Sequence, residues 1–306
     1  MSAASTPFTR SRAKPESRAS GQFFSAVPYL LPALLIFALF EYYPLVRVVW
    51  LSLTNADLLS EPKFIGLENY QKMVGSRDFW QSITFTAIFA LSVTALEVGL
   101  GMALAFLMNA RTRLQTLLRG AVFAPVVVSI AATSVVWNYL MNPNGGPLNA
   151  ALGAVGIPGS TWLTHPDSAL ASIILIAVWK GVGLSAVLFL AGLQSIPREL
   201  EEAATVDGAN RFTIATRVTV PLLAPTTLLV FFISLVGTFQ SYSLVLLLTQ
   251  GGPVGSTNLM GFYIYQNAFQ FFSMGYASAL SVALFGLLML LAYVQFKVSE
   301  RRVHYQ

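Results

Sequence analysis

Apolar residues in this chain gather into long runs instead of recurring at the spacing of a half-buried surface helix. About 20 largely apolar residues carry a helix across about 30 Å of hydrocarbon. Six windows meet that length: 27–53, 83–108, 122–140, 170–193, 222–248 and 276–296. The pattern predicts an all-α polytopic membrane protein with six transmembrane helices, because a helix satisfies its own backbone in lipid. Glu41, Tyr42, Tyr43 and Pro44 interrupt the first window, which predicts a tilted or extended end. Segments 55–81 and 142–167 are long enough to form ordered caps. Segment 250–275 opens with Gly251-Gly252-Pro253 and carries Tyr263, Tyr265, Phe269, Phe271 and Phe272, a composition suited to an aromatic belt or a re-entrant element.

Charge orients this arrangement. Only 10% of the 306 residues are charged, against about 25% in a soluble domain. Lys and Arg collect in alternate connections, and short basic loops stay in the cytosol. With both termini inside, 13 basic residues fall on the cytosolic side, and only Lys63, Lys72 and Arg77 fall outside. The expected location is therefore a cytoplasmic membrane, with the polar residues 1–22 as a disordered cytosolic tail and 23–306 as the transmembrane domain. Basic residues sit in short clusters between apolar runs, so nucleic acid is not an expected partner. The chain has no cysteine and two histidines, His165 and His304, neither within a window. No catalytic cluster, metal site or resident cofactor is expected.

The connection 194–221 reads as two short helices. Pro197 suits a first helical turn, and Glu199, Glu201 and Glu202 follow where the helix dipole favours anions. Leu200, Ala203 and Ala204 share a face by their spacing. Gly208 can adopt the left-handed conformation that stops a helix, Asn210 can cap the next one, and Pro221 marks the approach to the fifth window. The chain lacks a Gly-x-x-x-x-Gly-Lys-Ser/Thr phosphate loop, so any ATP hydrolysis belongs to another subunit.

Glu202-Ala203-Ala204, then Asp207-Gly208-Ala209, then Pro221, resemble the EAA loop of binding-protein-dependent ABC importer permeases. The resemblance covers nearly all of the chain after the tail. Gly66-Leu67-Glu68-Asn69-Tyr70, Trp137 followed by Gly146-Pro147-Leu148-Asn149, Trp179, and Thr249-Gln250-Gly251-Gly252-Pro253 are similar to carbohydrate-uptake permeases of the MalF type and to the related glycerol-phosphate permease. It implies the type I permease fold, with residues 202–204 and 207–209 on a coupling helix that docks on an ATPase. It also implies a MalG-like second permease, two ABC ATPase subunits holding ATP and Mg, and an extracytoplasmic solute-binding protein. The implied cargo is a sugar, oligosaccharide or glycerol phosphate moved inward by alternating access.

Polar groups at membrane depth are costly and mark functional candidates. Glu97 and Lys180 are the two clearest charged cases, and a pair between them is one reading. Ser234, Thr238 and Ser241 fall on one helical stripe by spacings of four and three, with Gln240 on its flank. The resemblance implies that these four, with Gly181 and Leu184, line the solute path. An ion-coupled secondary transporter is the alternative: it would use Glu97 and Lys180 as a relay but leaves the 194–221 loop without a role.

Overall fold

The computed structural model describes residues 29–57, 60–110, 112–239 and 241–302. The expected tail, residues 1–22, lies outside them, as does Gln240. The described residues are predominantly helical, with one isolated antiparallel bridge between Thr54 and Phe64.

Two units make up the chain, one ending at Trp50 and one starting at Leu51. The described part of the first is a single helix, α1 (Tyr29–Leu51), with no buried residue through Trp50. Its predicted interruption is a π turn at Ala38–Tyr42, closed by a bond from Tyr43 N–H to Ala38 O. Pro44 follows at once and has no N–H to donate, so a wider turn accommodates it without ending the helix.

In the second unit α2 (Glu68–Gly75) precedes α3 (Arg77–Met108). Then come α4 (Arg113–Val127), α5 (Ile130–Leu140), α6 (Pro147–Ala154) and α7 (Pro166–Ser195). The chain continues through α8 (Arg198–Val206), α9 (Arg211–Leu222), α10 (Ala224–Phe239), α11 (Tyr242–Leu248), α12 (Met260–Tyr265) and α13 (Met274–Arg302). Among the described residues four helices, α1, α3, α7 and α13, are long and apolar enough to span alone. The pairs α4–α5 and α9–α10 bend by 102° and 65°, and the count reaches six when each pair is one span.

Two windows are thus corrected in detail. Residues 122–140 are not one helix: α4 stops at Val127, Val128 is extended, and Ser129 caps α5 by accepting from Ala132 N–H at 3.2 Å. Residues 222–248 are not one helix either, because α10 begins at Ala224 after a turn at Leu223 and ends at Phe239.

The frame is the close pair α3–α7, packed through small residues as membrane helices do. A Cβ on Gly101 would lie 2.8 Å from Ser185 Cβ and 3.2 Å from the Ala186 nitrogen. On the next face, Gly183 abuts the Val122 carbonyl of α4. Phe89, Ile173, Ile176 and Phe262 are fully buried around this frame, and Trp137 meets Trp179 edge to face at 5.4 Å.

The motifs outside the spans are structural joints. Gly66 turns left-handed at φ +62. Asn69 then donates to the carbonyls of Ser52 (2.9 Å) and Thr54 (2.8 Å), while the Tyr70 and Ser52 hydroxyls meet at 2.7 Å. Asn149 donates to Ser160 O at 2.9 Å and accepts from Ser160 N–H at 3.0 Å and Trp162 Nε1–H at 2.7 Å. In segment 250–275, Phe262 and Tyr263 are buried whereas Phe269, Phe271 and Phe272 are exposed. The aromatics therefore divide between core and surface.

Candidate functional site

Ser234 and Thr238 leave α10 on the same face, one helical turn apart, opposite the middle of α3 and α7. They line a cavity of about 310 Å³ together with Gly181, Leu184 and Ser241. Five of the six solute-path residues expected from the sequence are thus brought together, and the sixth, Gln240, lies outside the described residues. The continuous stripe is not retained, because Ser241 stands at the turn before α11, beyond the end of α10. It still reaches the cavity because its N–H bonds Thr238 O at 3.1 Å, which tightens the connection. The volume is at the small end of the roughly 300–1,000 Å³ of small-molecule sites.

Glu97 and Lys180 line the same space. Glu97, on α3, is 7% exposed and sits against Gly181 so closely that a Cβ there would overlap its carboxyl group. The Ser234 hydroxyl lies beside this carboxyl group and donates to Thr94 Oγ1 at 3.2 Å. Lys180 does not pair with Glu97: its ammonium donates to Val128 O at 2.6 Å and Pro125 O at 3.3 Å. The break between α4 and α5 frees carbonyls in an apolar stretch, and the cation occupies the negative end of α4. Arg119 plays the same part at the end of α3, reaching Met108 O at 2.7 Å.

The second candidate site is the 194–221 loop. Pro197 is the N-cap of α8, one position before the expected first turn. Gly208 has φ +83, and Asn210 accepts from Thr213 N–H at 2.8 Å to cap α9. A π turn at Ala215–Thr219 precedes Pro221, in the register of the turn before Pro44. Glu202, Ala203, Asp207 and Gly208 are exposed, and Ala204 and Ala209 are half-buried, joined by a bond from Ala209 N–H to Ala204 O at 3.0 Å. Glu202 also borders a cleft of about 850 Å³ between α8–α9 and the ends of α3 and α7. Sequence reasoning missed Val206 and Phe212, which are 87% and 77% exposed on this loop. The available signal was an apolar residue flanking a glycine stop in an otherwise polar connection.

Residues 97–305 match the family model of the binding-protein-dependent transport system inner membrane component. The chain is 32% identical over 280 residues to the sulfoquinovosyl glycerol transport system permease protein SmoG of Agrobacterium fabrum, covering 91% of each chain. It is 31% identical over 274 residues to the trehalose/maltose permease MalF of Thermococcus litoralis (89% of this chain, 92% of that one). It is 32% identical over 288 residues to the sn-glycerol-3-phosphate permease UgpA of Pectobacterium atrosepticum (92% and 97%). Its fold matches a chain of a bacterial alginate ABC transporter, solved with an alginate pentasaccharide-bound periplasmic protein, at a TM-score of 0.82 and 22% identity over 93% of this chain and 96% of that one. These matches leave the ion-coupled alternative without support. With the spans, the kinked third and fifth segments and the helical 194–221 loop, they show that the chain belongs to the membrane permease family of binding-protein-dependent ABC transport systems.

Proposed function

We propose that this subunit moves a small hydroxyl-bearing solute, a sugar, short oligosaccharide or glycerol phosphate, inward through the cavity between α3, α7 and α10. The convergence of Ser234, Thr238 and Ser241 on one cavity carries the reading. Hydroxyls match solute hydroxyls without the desolvation cost of a charge. The names of the relatives, among them sulfoquinovosyl glycerol, trehalose/maltose and glycerol-phosphate permeases, support the same solute class. A solute-loaded extracytoplasmic binding protein docks outside, a MalG-like permease completes the pathway, and two ATPase subunits bind ATP and Mg. The exposed Val206 and Phe212 beside Gly208 supply the apolar contact surface that an ATPase would cover. ATP-driven closure of that pair moves α8 and α9 and re-exposes the cavity to the cytosol.

Thr238→Val and Ser241→Ala are expected to raise the half-saturation for uptake, or lower its maximum, about two- to tenfold each, since one hydrogen bond is worth roughly 0.5–1.5 kcal/mol. Basal ATP hydrolysis by the assembled transporter remains. Uptake in proteoliposomes is the measurement; wild-type kinetics in the double variant across sugars and glycerol phosphate would sink the solute-path assignment.

The same reading places both termini in the cytosol, and the absence of cysteine makes this directly testable. Cysteine at Val254, which is 88% exposed, is expected to react with an impermeant maleimide on intact cells, whereas cysteine at the exposed Thr112 reacts only after permeabilisation. The reverse pattern would invert the topology.

A further inference from the structure

The polar groups around the cavity have a direction. A hydroxyl has one proton to donate and two lone pairs to accept with. Ser234 donates to Thr94 Oγ1 at 3.2 Å, Thr238 to Leu235 O at 2.6 Å, and Ser241 to Gly237 O at 3.3 Å. All three protons are engaged within the protein, which leaves lone pairs for the cavity. Glu97 adds two carboxyl oxygens beside them. Among the described residues Lys180 is the one cation in the lining, and two of its three N–H groups are held by the Val128 and Pro125 carbonyls. Its charge also faces the end of α4, which carries roughly half an elementary negative charge.

From this polarity we infer that the cavity selects an uncharged, hydroxyl-rich solute over a phosphate ester, and that Lys180 is a positioning residue for the broken α4–α5 span and not an anion anchor. A sugar offers several O–H donors to a lining of acceptors. A phosphate dianion offers only acceptors, so it would face lone pairs, a carboxyl group and a cation already held by backbone. The inference rests on the solute-path reading of this cavity and narrows it to the neutral members of the proposed class.

Charge-selective cysteine modification tests it without knowledge of the solute. Ser241→Cys in the full transporter is treated with the cationic trimethylammonium-ethyl and the anionic sulfonatoethyl methanethiosulfonates, and the rate ratio is normalised to that at the exposed Val254→Cys. The cationic reagent is expected to react at least as fast as the anionic one after normalisation. Adding Lys180→Met is expected to move the ratio by less than about threefold, because backbone carbonyls already face that charge. Preference for the anionic reagent by about threefold or more in Ser241→Cys alone overturns the inference, and that measurement does not depend on how Lys180→Met folds. A shift of about tenfold or more toward the cation on adding Lys180→Met overturns it as well, since Lys180 would then dominate the cavity's potential. Failure of both reagents at Ser241→Cys, with and without ATP and with Val254→Cys reacting, would show that the cavity is closed to water. That outcome overturns the solute-path reading itself, and so is distinguishable from a wrong charge preference.

Discussion

Gly183→Val is expected to prevent stable accumulation of the subunit, while Gly181→Ala, two residues earlier on the same helix, accumulates normally and transports poorly. The difference lies in what each side chain would meet. At Gly183 the neighbours are the Val122 carbonyl and Val126 Cγ2, the latter 3.0 Å from a built Cβ. A backbone carbonyl in mid-helix cannot rotate away, so α4 as a whole must retreat. Overpacking of this kind costs typically about 1–3 kcal/mol. Here it would also draw the Pro125 and Val128 carbonyls off Lys180, leaving freed backbone groups in an apolar setting. At Gly181 the neighbour is the end of the Glu97 side chain, which can rotate. A methyl there pushes the carboxyl group into the cavity that the solute is proposed to use. Immunoblotting of membranes with thermal melting in detergent reads the first effect, and uptake normalised to subunit amount reads the second. Wild-type levels and melting for Gly183→Val would remove the close-packing argument. Normal uptake by Gly181→Ala would separate Glu97 from the solute path.

The second large effect is expected at Gly208, where valine should uncouple ATP hydrolysis from transport in a subunit that still reaches the membrane. A β-branched residue at φ +83 is an outlier, and the left-handed conformation costs roughly 1–2 kcal/mol even for an ordinary L-residue. Among the described residues, its two chain neighbours apart, no atom lies within 4 Å of a Cβ built at Gly208, so the penalty here comes from backbone conformation. That allows a sharp control. Asn visits the left-handed region readily, so Gly208→Asn should retain most solute-stimulated ATPase activity if the turn is what matters. Loss of coupling in both variants would assign the glycine to close contact with a partner subunit instead. Normal coupling in Gly208→Val would remove the residue from the joint altogether.

Features that depend on composition and on near neighbours in the chain were legible before any fold was known. Six apolar windows were legible because length and hydropathy are local sums. The stop at Gly208 and the cap at Asn210 were legible because both act within a few residues, Asn210 reaching only to Thr213. The 194–221 loop could be matched to its family for the same reason.

The remaining features depend on contacts between segments far apart in the chain. At Val128-Ser129 the local signal is slight, a serine cap within an otherwise apolar run, yet the chain turns by 102° there. The break persists because Lys180, more than 50 positions later, satisfies the carbonyls it frees. Lys180 and Glu97 were visible as charges in apolar runs, but a charge does not say what it faces. One proved to hold backbone and the other to lie against Gly181, because the α3–α7 seam is close enough at small residues to admit a carboxyl group. Ser241 likewise left the helical stripe that its spacing predicts and reached the cavity through a turn. Helical spacing places side chains only while the helix continues, and where it stops is settled by carbonyl partners that lie elsewhere in the chain.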